Sequence, residues 1–193
     1  LMVTQVDYTI EGSGREEHPI IHVFGRREDG THEHVRVLGF EPYFYVPTES
    51  LDKPPEAEYD VVVDSRETDS DGEGFESIRR QQLTKVIRRP PRHVGEIRDE
   101  FDHYEADILF PNRFLIDKGI NSGIEVSERR LEEGDDDGTI QVPHNEVVAA
   151  DVDSDLRVNI FDIEVDDRRG FPEDGEEPIV CLTSYDSFDD QYI

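Results

Sequence analysis

Asp162 and Glu164 lie two residues apart in the run Leu156-Arg157-Val158-Asn159-Ile160-Phe161-Asp162-Ile163-Glu164. On a β-strand, side chains alternate between faces, so these two carboxylates share one side, about 6.5–7 Å apart along the backbone. Phe161 and Ile163 then point to the opposite, apolar side. Two carboxylates held together repel each other unless a cation sits between them, and hard oxygen ligands suit Mg²⁺ or Mn²⁺. A pair of such ions roughly 3.5–4 Å apart activates a water and stabilises the leaving oxygen in an in-line phosphoryl displacement. Taken alone, Asp-x-Glu is a weak pattern in a chain with 48 acidic residues. One buried acid beside one solvated acid is its plainer reading.

Other chemistry-bearing clusters carry less. Asp151-Val152-Asp153-Ser154-Asp155 begins like a calcium loop, but Leu156 stands at the sixth position, where such loops need glycine. His32 and His34 lie beside a turn with no cysteine or third ligand near them and read as solvated. Arg88, Arg89 and Arg92 form a small basic cluster suited to phosphates or to the chain's own carboxylates. Cys181 is the single cysteine, which excludes an intrachain disulfide and a cysteine-based zinc site. Within Ile179-Val180-Cys181-Leu182 it reads as a small buried hydrophobe.

The elements that must position these residues are mostly strands. Val6–Ile10, Ile20–Phe24 and Val35–Phe40 read as a meander, with Asp29-Gly30 as a hairpin signal. Pro42 opens a further strand, where its missing N–H does little harm. Residues 65–74 form an acidic loop, and Leu83–Arg88 returns as a strand. Pro90-Pro91 starts a helix whose apolar positions Val94, Ile97, Phe101 and Tyr104 fall on one face. Ala106–Phe110 reads as a strand, and Pro111–Lys118 as a short helix ended by Gly119. Leu156–Val165 and Pro178–Tyr185 read as two antiparallel strands joined by a polar, glycine-containing loop. The fold class is therefore α+β, with residues 1–126 as a β-rich domain with short helices, 127–155 as a connecting segment, and 156–193 as the opening of a second domain.

Composition bounds the setting. The chain is 34% hydrophobic and 35% charged, lacks tryptophan and carries a formal net charge of −28. So little apolar content points naively to disorder, but the apolar residues fall in short runs bounded by turn residues, as folded strands do. Seventeen arginines and three lysines oppose 48 acids. Such a lysine-poor, acidic surface suits molar salt, where a screening length of roughly 3 Å at 1 M removes most self-repulsion. An acidic protein that mimics nucleic acid has a similar charge but does not need the ordered strand pattern. No signal-like stretch and no run near 18 apolar residues is present, so a soluble, cytoplasmic protein away from the membrane is expected. The last residues break off in a strand-like run, as in a piece of something longer.

The Phe161-Asp162-Ile163-Glu164 strand, followed by Pro178-Ile179-Val180-Cys181-Leu182-Thr183-Ser184-Tyr185, resembles the first exonuclease motif of family B DNA polymerases. Earlier segments resemble the amino-terminal domain of archaeal, here halophilic, members, in family order: Val6-Asp7-Tyr8, Phe40-Glu41-Pro42-Tyr43-Phe44-Tyr45-Val46, Pro91-Arg92-His93-Val94, and the most specific, Asp107 through Gly119. The resemblance implies a DNA-directed DNA polymerase with a ribonuclease H-like 3′–5′ proofreading domain. In it, Asp162 and Glu164 are catalytic ligands of two Mg²⁺ or Mn²⁺ ions, completed by aspartates beyond residue 193. Val165 replaces the threonine more usual after the glutamate. The isolated chain is then expected to be inactive. Implied partners are single-stranded template and primer–template DNA, and a sliding clamp that would dock beyond this chain.

The same resemblance implies a pocket that captures uracil in the template strand, lined by Tyr8, Pro42, Tyr43, Pro91, Val94, Ile108, Phe110 and Arg113. An apolar, aromatic slot accepts a flipped base, with backbone groups around Pro91–Val94 available to read its edge. Without the resemblance these are ordinary core residues. Gly95 departs from the proline that relatives often carry and leaves this loop less rigid. A non-catalytic, single-stranded-DNA or uracil-binding module is the other function open to the chain.

Overall fold

The computed structural model describes residues 1–88, 90–127, 132–133, 139–166, 168, 170 and 178–192. In chain order its elements are β1 (Met2–Glu11), β2 (His18–Arg26), β3 (His32–Leu38), β4 (Tyr43–Pro47), β5 (Val62–Arg66), β6 (Phe75–Glu76) and β7 (Gln82–Arg88). Two helices follow, α1 (Arg92–Ile97) and α2 (Phe110–Lys118). Then come β8 (Gly123–Glu125), β9 (Glu132–Glu133), β10 (Ile140–Pro143), β11 (Val148–Ala150), β12 (Asn159–Val165), β13 (Ile179–Asp186) and β14 (Gln191–Tyr192). The chain divides into two compact units, Leu1–Ser154 and Asp155–Ile193.

Two-residue alternation builds the first sheet. In β1 to β3, Val6, Tyr8, Ile21, Val23, Val35 and Val37 face inward, while Asp7, Thr9, His22 and Arg36 face out. β1–β2–β3 is the antiparallel meander that the alternation predicts, and Gly30 closes its second turn at φ +81°. Among the described residues the sheet order is β11–β8–β1–β2–β3–β10–β9, with β10 parallel to β3. α2 covers its inner face: Phe110 and Phe114 pack with Ile21, Val23, Val37 and Phe40. Burying each such side chain contributes roughly 1.5–3 kcal/mol. A second sheet, β4–β7–β5 with β6 on β7, packs Phe44, Val46, Val62 and Val86 against Ile97 and Ala106.

Several expectations change here. α1 ends at Ile97, a 3₁₀ turn follows at Arg98–Glu100, and Phe101 is extended. Val94, Ile97 and Phe101 still join one cluster. Tyr104 instead pairs with Tyr45, with N–H to carbonyl distances of 2.8 and 3.1 Å. The edge of β4 thus takes the backbone that a longer helix would have used. Residues 106–109 are a turn, not a strand, and Phe110 already belongs to α2, because Glu105 adopts a left-handed φ of +61° and redirects the chain into that helix. α2 does end at Gly119, at φ +63°. β5 takes the start of the expected 65–74 loop. Where it is described, the expected connector 127–155 supplies β9, β10 and β11 to the first sheet. Its residues 128–131 and 134–138, the loop over 171–177, and Arg89 of the basic cluster lie outside the described residues.

The second unit is a small antiparallel sheet, β12–β13–β14. Asp162 pairs with Thr183 and Glu164 with Cys181. Both of its faces are open, so Cys181 is exposed where a buried residue was expected. Phe161 and Ile163, expected to turn into an apolar side, are 65% and 44% exposed for the same reason.

Candidate functional site

Eight residues scattered over more than a hundred positions of sequence line one cavity. Tyr8 from β1, Pro42 just before β4 and Tyr43 at its start, Pro91 capping α1 and Val94 within it, and Ile108, Phe110 and Arg113 from the entry to α2 surround about 430 Å³. That volume lies within the roughly 300–1,000 Å³ of small-ligand sites. The aromatic floor is built by contact: the Tyr8 ring meets Phe110 edge-on with centroids 5.4 Å apart, and Phe110 lies 5.5 Å from Phe40.

Tyr43 and Arg113 are held in the cavity wall by Asp117, Glu105 and Lys85, partners that the sequence did not single out. The Tyr43 hydroxyl donates to Asp117 Oδ2 at 2.6 Å. Burial, then that hydrogen bond, push its phenol far above the ordinary tyrosine value, so Tyr43 stays a neutral donor. Arg113 is 5% exposed and clasps the Glu105 turn, giving Nη1 to Oε2 at 2.6 Å and Nη2 to the backbone carbonyl at 3.0 Å. Its guanidinium carbon lies 4.7 Å from the Tyr43 ring centre. Lys85 covers the same ring with Nζ at 3.5 Å, and burial holds its pKa below the ordinary lysine value. Arg113 therefore pins the cavity's architecture. The Val94 N–H, one candidate for reading a base edge, donates to the Pro91 carbonyl at 3.1 Å and is spent within the turn. Gly95 lies inside α1 with nothing within 4 Å of an added Cβ.

On β12, Asp162 and Glu164 occupy alternate positions and so project from one face of the strand, both exposed to solvent. Asp162 Oδ1 accepts from the Ile163 N–H at 3.1 Å. A bulge falls between Glu164 and Val165. The carboxylate pair is a hard-donor set that suits Mg²⁺ or Mn²⁺. No cluster of three or more metal-ligating side chains occurs among the described residues.

The two turn histidines are not equivalent. His34 lies on β3, where Nε2 meets His22 Nδ1 at 2.8 Å, and the far side of His22 reaches Thr9 Oγ1 at 2.8 Å. His22, whose place opposite β3 depends on register, was not visible in sequence spacing. His32 instead contacts Arg26 at 3.1 Å.

Comparison with known proteins cuts across the two compact units. Residues 101–191 match the family described as DNA polymerase family B, exonuclease domain, a match that begins inside the first compact unit. A DNA polymerase of Archaeoglobus fulgidus is 24% identical over 164 residues, which is 80% of this chain and 20% of that protein. The family B DNA polymerase of the hyperthermophilic archaeon Pyrobaculum calidifontis superposes with a TM-score of 0.70 at 26% identity, over 100% of this chain and 26% of that one. The chain thus spans about a fifth to a quarter of the length of these relatives. From residue 101 to residue 191 it is similar to the exonuclease domain of DNA polymerase family B, and across its length to one stretch of archaeal DNA polymerases.

Proposed function

We propose that this chain is the amino-terminal part of a DNA-directed DNA polymerase with 3′–5′ proofreading, working in molar salt, and that its first unit captures uracil from a single-stranded template. The observation that carries the base-capture reading is the convergence of the eight named residues on one cavity of nucleobase-accepting size, whose aromatic and apolar side chains are joined by Asp7, Arg92, Arg98 and Asp107. A flipped base stacks between such side chains and presents its hydrogen-bonding edge to the backbone. The cavity wall discriminates against the methyl group of thymine, a difference worth about 1–3 kcal/mol.

In the proofreading reading, Asp162 and Glu164 hold divalent ions. These would supply an activated water and charge stabilisation for phosphodiester cleavage. The chain's own part is to present both carboxylates from one strand face. Further ligands are expected outside residues 1–193, so this chain alone is expected to bind DNA without cutting it. A non-catalytic binding module is the second reading, favoured by the fact that all eight cavity residues lie within Leu1–Ser154.

The test is binding of the chain to labelled single strands with uracil or thymine at one position, in about 1 M KCl, where screening reaches roughly 3 Å. Tighter binding of the uracil strand is the expected result. Equal affinity would reduce the first unit to a scaffold and leave only the exonuclease similarity.

A further inference from the structure

The positive charge of the first unit is distributed unevenly. Of the chain's three lysines, Lys53 pairs with Glu58 on the surface at 3.4 Å. Lys85 and Lys118 make no ion pair among the described residues, although the chain holds 48 acids. Both converge with Arg66 and His144 on a second cavity, of about 250 Å³. That is below the roughly 300–1,000 Å³ usual for drug-sized ligands, and ample for a tetrahedral oxyanion. Its carboxylates are Glu41 and Asp117. Asp117 is already engaged by the Tyr43 hydroxyl at 2.6 Å and by Arg113 at 3.9 Å.

Tyr43 lines both this cavity and the base cavity. Lys85, seated on the Tyr43 ring, is therefore fixed at their common wall. His144 Nδ1 is buried without a hydrogen-bond partner. Burial, then Lys118 and Lys85, hold the His144 pKa below its ordinary value, and burial does the same to Lys118. An entering anion opposes each of these shifts, because it stabilises the charged form of both groups. Lysine suits that role as a compact point charge.

We infer that this second cavity is a phosphate subsite, taking one phosphodiester of a DNA strand whose neighbouring base enters the cavity across Tyr43. The inference rests on the base-capture reading for the source of the phosphate, and on two lysines with no ion pair among the described residues for the oxyanion itself.

The 193-residue chain is titrated with a uracil-containing single strand from about 0.1 to about 1 M KCl. Each single-strand phosphate contact contributes about 0.7 to the slope of log affinity against log salt. Lys118→Gln is expected to lower the slope by about that amount, and Lys53→Gln to leave it unchanged. Arg66→Gln, at an exposed side chain, takes its place if Lys118→Gln loses the fold. In a second arm, one uncharged methylphosphonate is walked along the linkages beside the uracil. One linkage is expected to weaken binding of the unmodified chain and to have no further effect in Lys118→Gln.

An unchanged slope with no sensitive linkage overturns the inference even where uracil is preferred. A sensitive linkage without uracil preference strikes the base reading alone. In a third arm, inorganic phosphate is added while the His144 ring protons are followed by NMR. A shift with no sensitive linkage in any strand assigns the cavity to a free anion and refutes the strand as its source. No shift and no strand binding removes the site.

Discussion

Val94 and Arg113 do different work at the same cavity. Val94 lines it from α1 without a polar atom, at the margin of the second core cluster, so replacement by glutamine puts an amide into the slot. Val94→Gln is expected to abolish preference for uracil-containing single strands while lowering the thermal midpoint only in part, so that the variant is compared while folded; retained preference would detach the cavity from base capture. Arg113 acts through shape. Its fork holds the carboxylate and the carbonyl of Glu105 together, and Glu105 is one of three non-glycine residues at positive φ among those described. A lysine cannot bridge both acceptors as a planar fork does. Arg113→Lys is therefore expected to cost about 1–2 kcal/mol in urea unfolding, the worth of one or two net hydrogen bonds.

At the scale of elements, β1–β3 and the glycine-ended α2 were legible in the sequence, because alternation and a left-handed C-cap are local signals. α1 was over-extended. The apolar spacing from Val94 to Tyr104 carries no trace of β4, whose edge claims Tyr104. The cavity was legible only through resemblance. Tyr8 and Arg113 are 105 positions apart, and the supports Lys85, Glu105 and Asp117 have no local pattern. α1 itself is a weak element: six residues, no side-chain cap, and a glycine with open space at its Cβ. Gly95→Ala is expected to stabilise the chain by about 0.4–1 kcal/mol, read as a shift of the urea midpoint. Destabilisation would mean that the loop needs glycine's freedom.

The outer face of the meander makes a pH-dependent contribution. Burial, then His34 and Arg36, hold His22 below the ordinary histidine value of 6.5, with Glu11 and Asp7 acting the other way. A depressed histidine binds fewer protons folded than unfolded, so its stability is complete above 6.5 and falls as pH drops below that value toward its folded pKa. Burial and the two lysines place His144 in the same window with the same sign. Urea unfolding is expected to show lower stability at about pH 5.5 than at about pH 7.5, and His22→Gln to flatten part of that slope. An unchanged slope in the variant would leave His144 and other groups as its source.

Across the whole molecule, charge and burial make separable demands. A net charge of −28 disfavours the compact state until salt screens it. Stability of the first unit is therefore expected to climb with KCl and to flatten near 1 M, where the screening length is already roughly 3 Å. Screening does nothing for buried area. In the second unit Ile160, Phe161, Ile179, Val180 and Leu182 are all at least 61% exposed, so β12 and β13 are held mainly by their ladder. Three strands without a covered apolar face are marginal in water. Hydrogen exchange is thus expected to divide the chain: amides of β1–β3 gain protection as KCl rises, while those of β12 and β13 exchange early at every salt concentration. Equal protection of both sets would mean that the apolar faces of β12 and β13 are covered in solution. Salt-independent exchange in β1–β3 would show that the acidic surface costs the fold little, and would remove the physical basis for reading it as an adaptation to molar salt.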